Sequence, residues 1–237
     1  MCQFFSCIIT KDLKVHWSKR TVAHEDLLSE LRLEDKKLEE RDFVKIEIAP
    51  KNNAKMTRDR NDWVYIIDEE RTLPNWYDEN IVKCQKACWK AWEESVQVNL
   101  AIDKEEKHGK DQLFFAYDSA KVIAHDSATV EAYDSATVRA SGSATVIAHG
   151  SAKVIAHDSA TVRASGSATV IAYGSAKVIA YGSAKVIAYG SATVEAYDSA
   201  MVELKSDCVT VLCHDKICVS EKAEVVRASV VNAAEVL

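Results

Sequence analysis

From Ala116 to Glu203 the chain repeats an eight-residue unit eleven times without a break, as in AYDSAKVI, AHDSATVE and AYDSATVR, and nothing else in it limits the fold so tightly. Ala fills the first position, Ser the fourth, Ala the fifth and Val the seventh in every copy. Self-similarity at a short fixed period marks a solenoid, whose units bury their apolar faces only against their neighbours. In an extended chain Ala128, Val130 and Ala132 fall on one side, while Thr129, Glu131 and Tyr133 fall on the other. Each octad therefore reads as a strand with a thin apolar face. Asp-Ser or Gly-Ser then supplies a corner, because Asp and Gly tolerate left-handed backbone angles at low cost.

Parallel coils place equivalent residues about 4.8 Å apart, so the number of octads per coil decides which side chains stack. Identities at the four variable positions recur more often at three octads than at two. Val flanked by Ala also suits a triangular coil, with an open centre and crowded corners. Three octads, or 24 residues, per coil is the preferred expectation, and a flattened 16-residue coil is the alternative. The triangular coil stacks His125, His149, Tyr173 and Tyr197 in one column and Tyr133, His157 and Tyr181 in another. It also pairs Ile147 with Ile171 and Ile155 with Ile179 on the outside. Tyr133, His149, His157, Tyr173, Tyr181 and Tyr197 are thus the candidate binding surface, since exposed aromatic and Ile ladders make a flat adhesive face.

The rest of the chain frames this array. Of its 237 residues 48% are hydrophobic and 28% charged, which is ordinary for a globular protein long enough for two domains. The expected division is an α+β head over residues 1–112 and a parallel β-solenoid over 113–237, regular at 116–203 and degenerate at 204–237. Net charge is −6 and evenly shared, with 20 basic and 23 acidic residues up to Phe115 and 10 and 13 after it. No basic stripe for nucleic acid emerges, and no apolar run nears the roughly 18 residues of a membrane span. A cytoplasmic protein is expected, with no nucleic-acid or membrane partner. Seven cysteines, at 2, 7, 84, 88, 208, 213 and 218, then read as free thiols. Their spacing fits no zinc knuckle, and no metal or cofactor is expected. Aligning TVLCHD on the octads puts Cys213 at an inward Ala position and Cys208 at another.

In the head, Gln3 to Thr10, Lys14 to Trp17, Phe43 to Ile48 and Asp62 to Asp68 read as strands. His24 to Leu33 has helical spacing. A second helix follows Pro74, with Asn75 and Asp78 resembling a capping pair, and runs to about Asn99 with Ile81, Cys84, Cys88, Trp92 and Val96 on one face. Charged EEKHGKD (Glu105 to Asp111) reads as the junction, and Leu113, Phe114 and Phe115 as a plug for the solenoid's end.

The opening MCQFFSCIIT, with AHEDLL at Ala23, FVKIEIAP at Phe43 and LPNWYDE at Leu73 ahead of the octads, resembles a set of uncharacterised proteins encoded in phage and gut-bacterial genomes. The resemblance implies the same layout and a phage origin, hence a bacterial host cytoplasm, and it implies no activity. The octads by themselves resemble β-solenoid repeats generally, including filament-forming bacterial ones.

For chemistry the sharpest candidate is Cys2, since removal of Met1 would leave a thiol and an α-amine on one residue, the amine able to act as its base. His24 is the candidate proton-transfer partner, with Glu25 and Asp26 better placed as first-turn carboxylates beside the helix dipole. Phosphate loops, HExxH and GxSxG are absent from the sequence. The leading expectation is a non-enzymatic scaffold that self-associates through the solenoid and presents a surface. An enzyme with a Cys2 nucleophile is the alternative. A phage inhibitor or sponge for a host defence protein or signalling molecule is a second. VRAS at Val226 repeats the VRAS of Val138, so degenerate octads are expected to run on to Leu237 and leave an exposed last coil. A homodimer through residues of about 205–237, touching at Val230, Val231 and Leu237, would cover it. The same letters allow a capping helix with Ala223, Val226, Val230, Ala233 and Leu237 as its stripe.

Overall fold

The computed structural model describes residues 5–33, 42–51, 57–68, 72–102, 105–214, 218–219 and 229–232. It divides into two compact units between Asn99 and Leu100.

In the first unit, β1 (Phe5–Thr10), β2 (Val15–His16), β3 (Phe43–Pro50) and β4 (Trp63–Ile67) form an antiparallel sheet of order β2-β1-β3-β4. Alternation of side chains sends Ile8 and Phe43 to one face, where Leu27 of α1 (His24–Leu31) packs on them. Cys7 and Tyr65 point to the other face, towards α3 (Ile81–Asn99), whose Cys84, Cys88, Trp92 and Val96 are buried. A central strand covered on both faces explains why β1 is apolar without alternation. Asn75–Asp78 forms the short α2, but Pro74 caps it without any side-chain bond. The expected cap at Asn75 is therefore absent. Ile81, expected on the buried stripe, is exposed.

The second unit is a parallel β-solenoid of about seven turns. It begins with β5 (Leu100–Ile102), β6 (Glu105–His108) and β7 (Leu113–Tyr117). One four-residue strand per octad follows, from β8 (Lys121–Ala124) to β18 (Met201–Leu204). The described part ends with β19 (Thr210–Cys213), β20 (Cys218–Val219) and β21 (Ser229–Asn232). Solenoid pairing thus starts at Leu100, and Glu105–His108, read from its charges as a junction, is a strand paired with Lys121–Ala124.

Each coil holds two octads, not the expected three. Val138 pairs with Val122 and Val154, and Val146 with Val130 and Val162, so equivalent residues lie 16 apart. Even-numbered strands make one sheet and odd-numbered strands the other. Facing sheets usually sit about 10 Å apart, a spacing set by larger side chains. Here the interior from Ala120 to Val202 is only Ala and Val, side chains small enough to let two sheets approach more closely. The sheets close until inward Ala and Val are 0–1% exposed from Ala120 to Val202. Charge supports the same coil. At 24 residues Arg139 would stack on Arg163 and Lys153 on Lys177. At 16, Arg139 lies between Ile123 and Ile155, and Lys177 between Thr161 and Thr193, which avoids like charges in direct register.

The corners explain the invariant Ser. The Ala120 N–H donates to Tyr117 O across a tight turn whose first central residue, Asp118, has φ of 56°. That backbone favours Gly or Asp. At Gly166 the turn also passes so near the coil beneath that a Cβ would lie 3.0 Å from the Gly150 carbonyl oxygen. Ser Oγ then donates to the corner carbonyl one coil earlier, as Ser143 to Asp126 and Ser151 to Asp134, each at 2.9 Å. Where Asp fills the third position its carboxylate can reach back as well, Asp158 Oδ2 accepting from the Gly142 N–H at 3.1 Å.

Past Glu203 the register slips by one residue, since Thr193 pairs with Thr210. Asp207 lengthens that corner, so Val209 takes the inward position expected for Cys208, and Cys208 is exposed. Cys213 is buried as expected. Ser229–Asn232 pairs with β19, so Val230 has the register of inward Val211 and Val231 that of outward Leu212. The VRAS match puts Ser229 at the second octad position, whereas it pairs with Thr210 at the sixth, and the helical alternative does not hold across this strand.

Candidate binding surfaces

Two-octad coils sort the second octad position into columns different from those expected. Tyr133 stacks on Tyr117 and His149, His157 on Tyr173, and Tyr181 on Tyr197, with ring centroids 4.6–4.9 Å apart. Tyr173 continues to Tyr189 and Tyr197 to His214. One column therefore runs along each edge of the flattened coil. Ser165 interrupts the first, and His149 Nδ1 meets its Oγ at 2.9 Å. All six candidate residues are half-buried by their own neighbours, which makes the columns edge supports as much as contact surface. Tyr133 OH also donates to Glu131 Oε2 at 2.6 Å. Burial pushes the Tyr117 and Tyr133 phenols up, so both stay neutral.

On the flat faces the eighth position decides the character. In the even-numbered sheet Ile155, Ile171 and Ile187 stand in direct register. Lys153, Thr169 and Lys185 run beside them, and the exposed Met201 follows Lys185. In the odd-numbered sheet Glu131, Ile147, Arg163, Ile179 and Glu195 alternate, so no apolar strip forms. The Ile147–Ile171 and Ile155–Ile179 pairs expected from the triangle do not occur, since in each pair the two residues lie in opposite sheets.

In the head, His24 is 1% exposed, and each ring nitrogen has an oxygen partner. Nδ1 lies 2.9 Å from Asp68 Oδ2, and Nε2 lies 3.1 Å from the Ile46 carbonyl oxygen. The Asp68 N–H in turn donates to Lys45 O. His24 thus fastens the start of α1 to β3 and to the residue after β4. Cys2 lies outside the described residues, so its relation to His24 does not enter. His24→Leu, which removes both bonds, should cost about 2 kcal/mol in chemical denaturation, because the buried Ile46 carbonyl loses a partner. An unchanged midpoint would show that the bridge is idle.

The other reactive side chains of the head form a core cluster. Tyr65 OH lies 2.8 Å from Tyr77 OH and 3.7 Å from Cys88 Sγ. Burial pushes the Cys7 thiol well up, the Cys84 thiol up to about 11 and the Tyr77 phenol up to about 12. Thiols held protonated in this way pack as small apolar groups. Among the described residues no three His, Cys, Asp or Glu side chains are grouped to hold a metal ion. Among the described residues no helix is long and apolar enough to cross a membrane.

Comparison with protein-family models, curated proteins and solved structures returned no match. Function therefore has to be argued from the geometry of this chain.

Proposed function

We propose that the protein is a non-enzymatic scaffold, in which the solenoid is a rigid plate that presents one face to a partner and joins a second copy through its C-terminal coils. The observation that carries this reading is the register of Ile155, Ile171 and Ile187, a continuous apolar strip bordered by Lys and Thr. Apolar strips with polar rims are features of protein contacts, and a stacked coil holds this one in place before any partner arrives. Self-association follows from the end of the stack. Among the described residues β20 and β21 are the last strands of their sheets, and no strand pairs with their outer edges. Open parallel edges recruit further strands, and a two-fold tail-to-tail contact through Val230 and Val231, and through Leu237, which lies outside the described residues, would close without growing further.

Light scattering at micromolar concentration should give twice the monomer mass. Truncation after Glu203 and the milder Leu237→Asp should each give the monomer. A wild-type monomer, or a dimer that survives both changes, would defeat the proposal.

A further inference from the structure

One surface of the head gathers positive charge. Lys83, Lys86 and Lys90 lie three and four residues apart on α3 and therefore share one helical face. Together with Arg60, from the short helix ahead of β4, they line a cleft of about 480 Å³, with Trp89 in its wall and Glu93 as its one carboxylate. Among the described residues none of these four cations is in an ion pair, and Lys83 Nζ donates only to Asn80 Oδ1 at 3.2 Å. The Arg60 guanidinium carbon sits 4.4 Å above the Trp89 ring, which fixes a normally mobile side chain at the edge of the cleft.

This arrangement is unfavourable in the free protein. Like charges three and four apart on a helix repel. Lys83 lies in the first turn of α3, which holds no acidic residue, so its charge also opposes the helix dipole. An anion relieves both, and the whole chain, at −6, has no general affinity for one.

The geometry points to a site for the di- or triphosphate group of a small molecule. Seven residues of helix rise about 10 Å from Lys83 to Lys90, so the ammonium groups bracket a chain of phosphates better than a single one. Arg60, already ordered on Trp89, offers the planar fork that grips a phosphate in two places. A cleft of this volume is within the range of small-ligand sites, roughly 300–1,000 Å³. The phosphate chain is carried either by a nucleoside or by inorganic polyphosphate, and both have the chemistry the cleft recognises.

The test is calorimetric titration of the full chain with inorganic tripolyphosphate and, separately, with a nucleoside triphosphate, while the Trp89 indole N–H is followed by NMR. Both should bind and shift that resonance, and the double change Lys86→Glu with Lys90→Glu should weaken binding about tenfold or more. All the substituted side chains are exposed, so the thermal midpoint should hold. Arg60→Ala gives a second variant away from the helix. Tighter binding of the nucleoside triphosphate identifies a nucleotide, and equal binding identifies the bare phosphate chain. The proposal is overturned if neither binds at millimolar concentration, if the variants bind as the parent does, or if a single-stranded oligonucleotide binds more tightly than both.

Discussion

Val162→Asp should abolish folding of the solenoid, while Thr161→Lys, one residue earlier, should leave it intact. Val162 is fully buried and stands in register between Val146 and Val178, in the stretch from Ala120 to Val202 whose interior is Ala and Val alone. A carboxylate there has neither a partner nor room for water, and even its protonated form leaves a polar group without a bond, at a cost of several kcal/mol. Coils stack only on their neighbours, so one broken coil separates the array into two short pieces. Thr161 faces outward and pairs with Lys177, so the new Lys meets one like charge across the ladder, at a cost below about 1 kcal/mol. Circular dichroism and chemical denaturation of the two variants should diverge sharply. Similar behaviour would mean that the inward and outward positions have been assigned wrongly.

The head should be equally sensitive to Trp92→Ala, with an expected loss of about 3–5 kcal/mol. Trp92 is 1% exposed, with its ring 5.1 Å from Trp63 and 5.4 Å from Trp89 in edge-to-face contacts. Its indole N–H is buried without a hydrogen-bond partner among the described residues, so the loss comes from the cavity and from the missing aromatic contacts. Trp92→Phe should therefore recover much of the difference, since it keeps an aromatic ring in the space. Denaturant titration with near-ultraviolet circular dichroism reads both variants. A loss under about 1 kcal/mol for the Ala variant would show that the cluster is loosely packed.

Within the octads, what depends on one strand or one turn was legible in the letters. Alternation along TVEA and KVIA marks which side is buried, because successive side chains of a strand must point opposite ways. Asp-Ser and Gly-Ser mark the corners, because φ there is positive. The strands of the head and the end of α3 at Asn99 follow from the same local rules.

The coil size was also written in the chain, in the avoidance of Lys-on-Lys and Arg-on-Arg stacking, a signal that identities between octads do not contain, because copied octads resemble one another whatever their stacking. Other features have no local signature. Glu105–His108 becomes a strand because β8 offers it an edge. Val209 displaces Cys208 because one inserted residue changes where the next strand can pair. His24 is a buried bridge because α1 lays it beside Asp68, 44 positions further on. The cationic cleft exists because Arg60 folds onto Trp89. Local pattern reports which side of an element is buried. How far the chain runs before it returns, and which distant side chains meet when it does, depend on how closely whole layers can approach, which is set by all the side chains between them together.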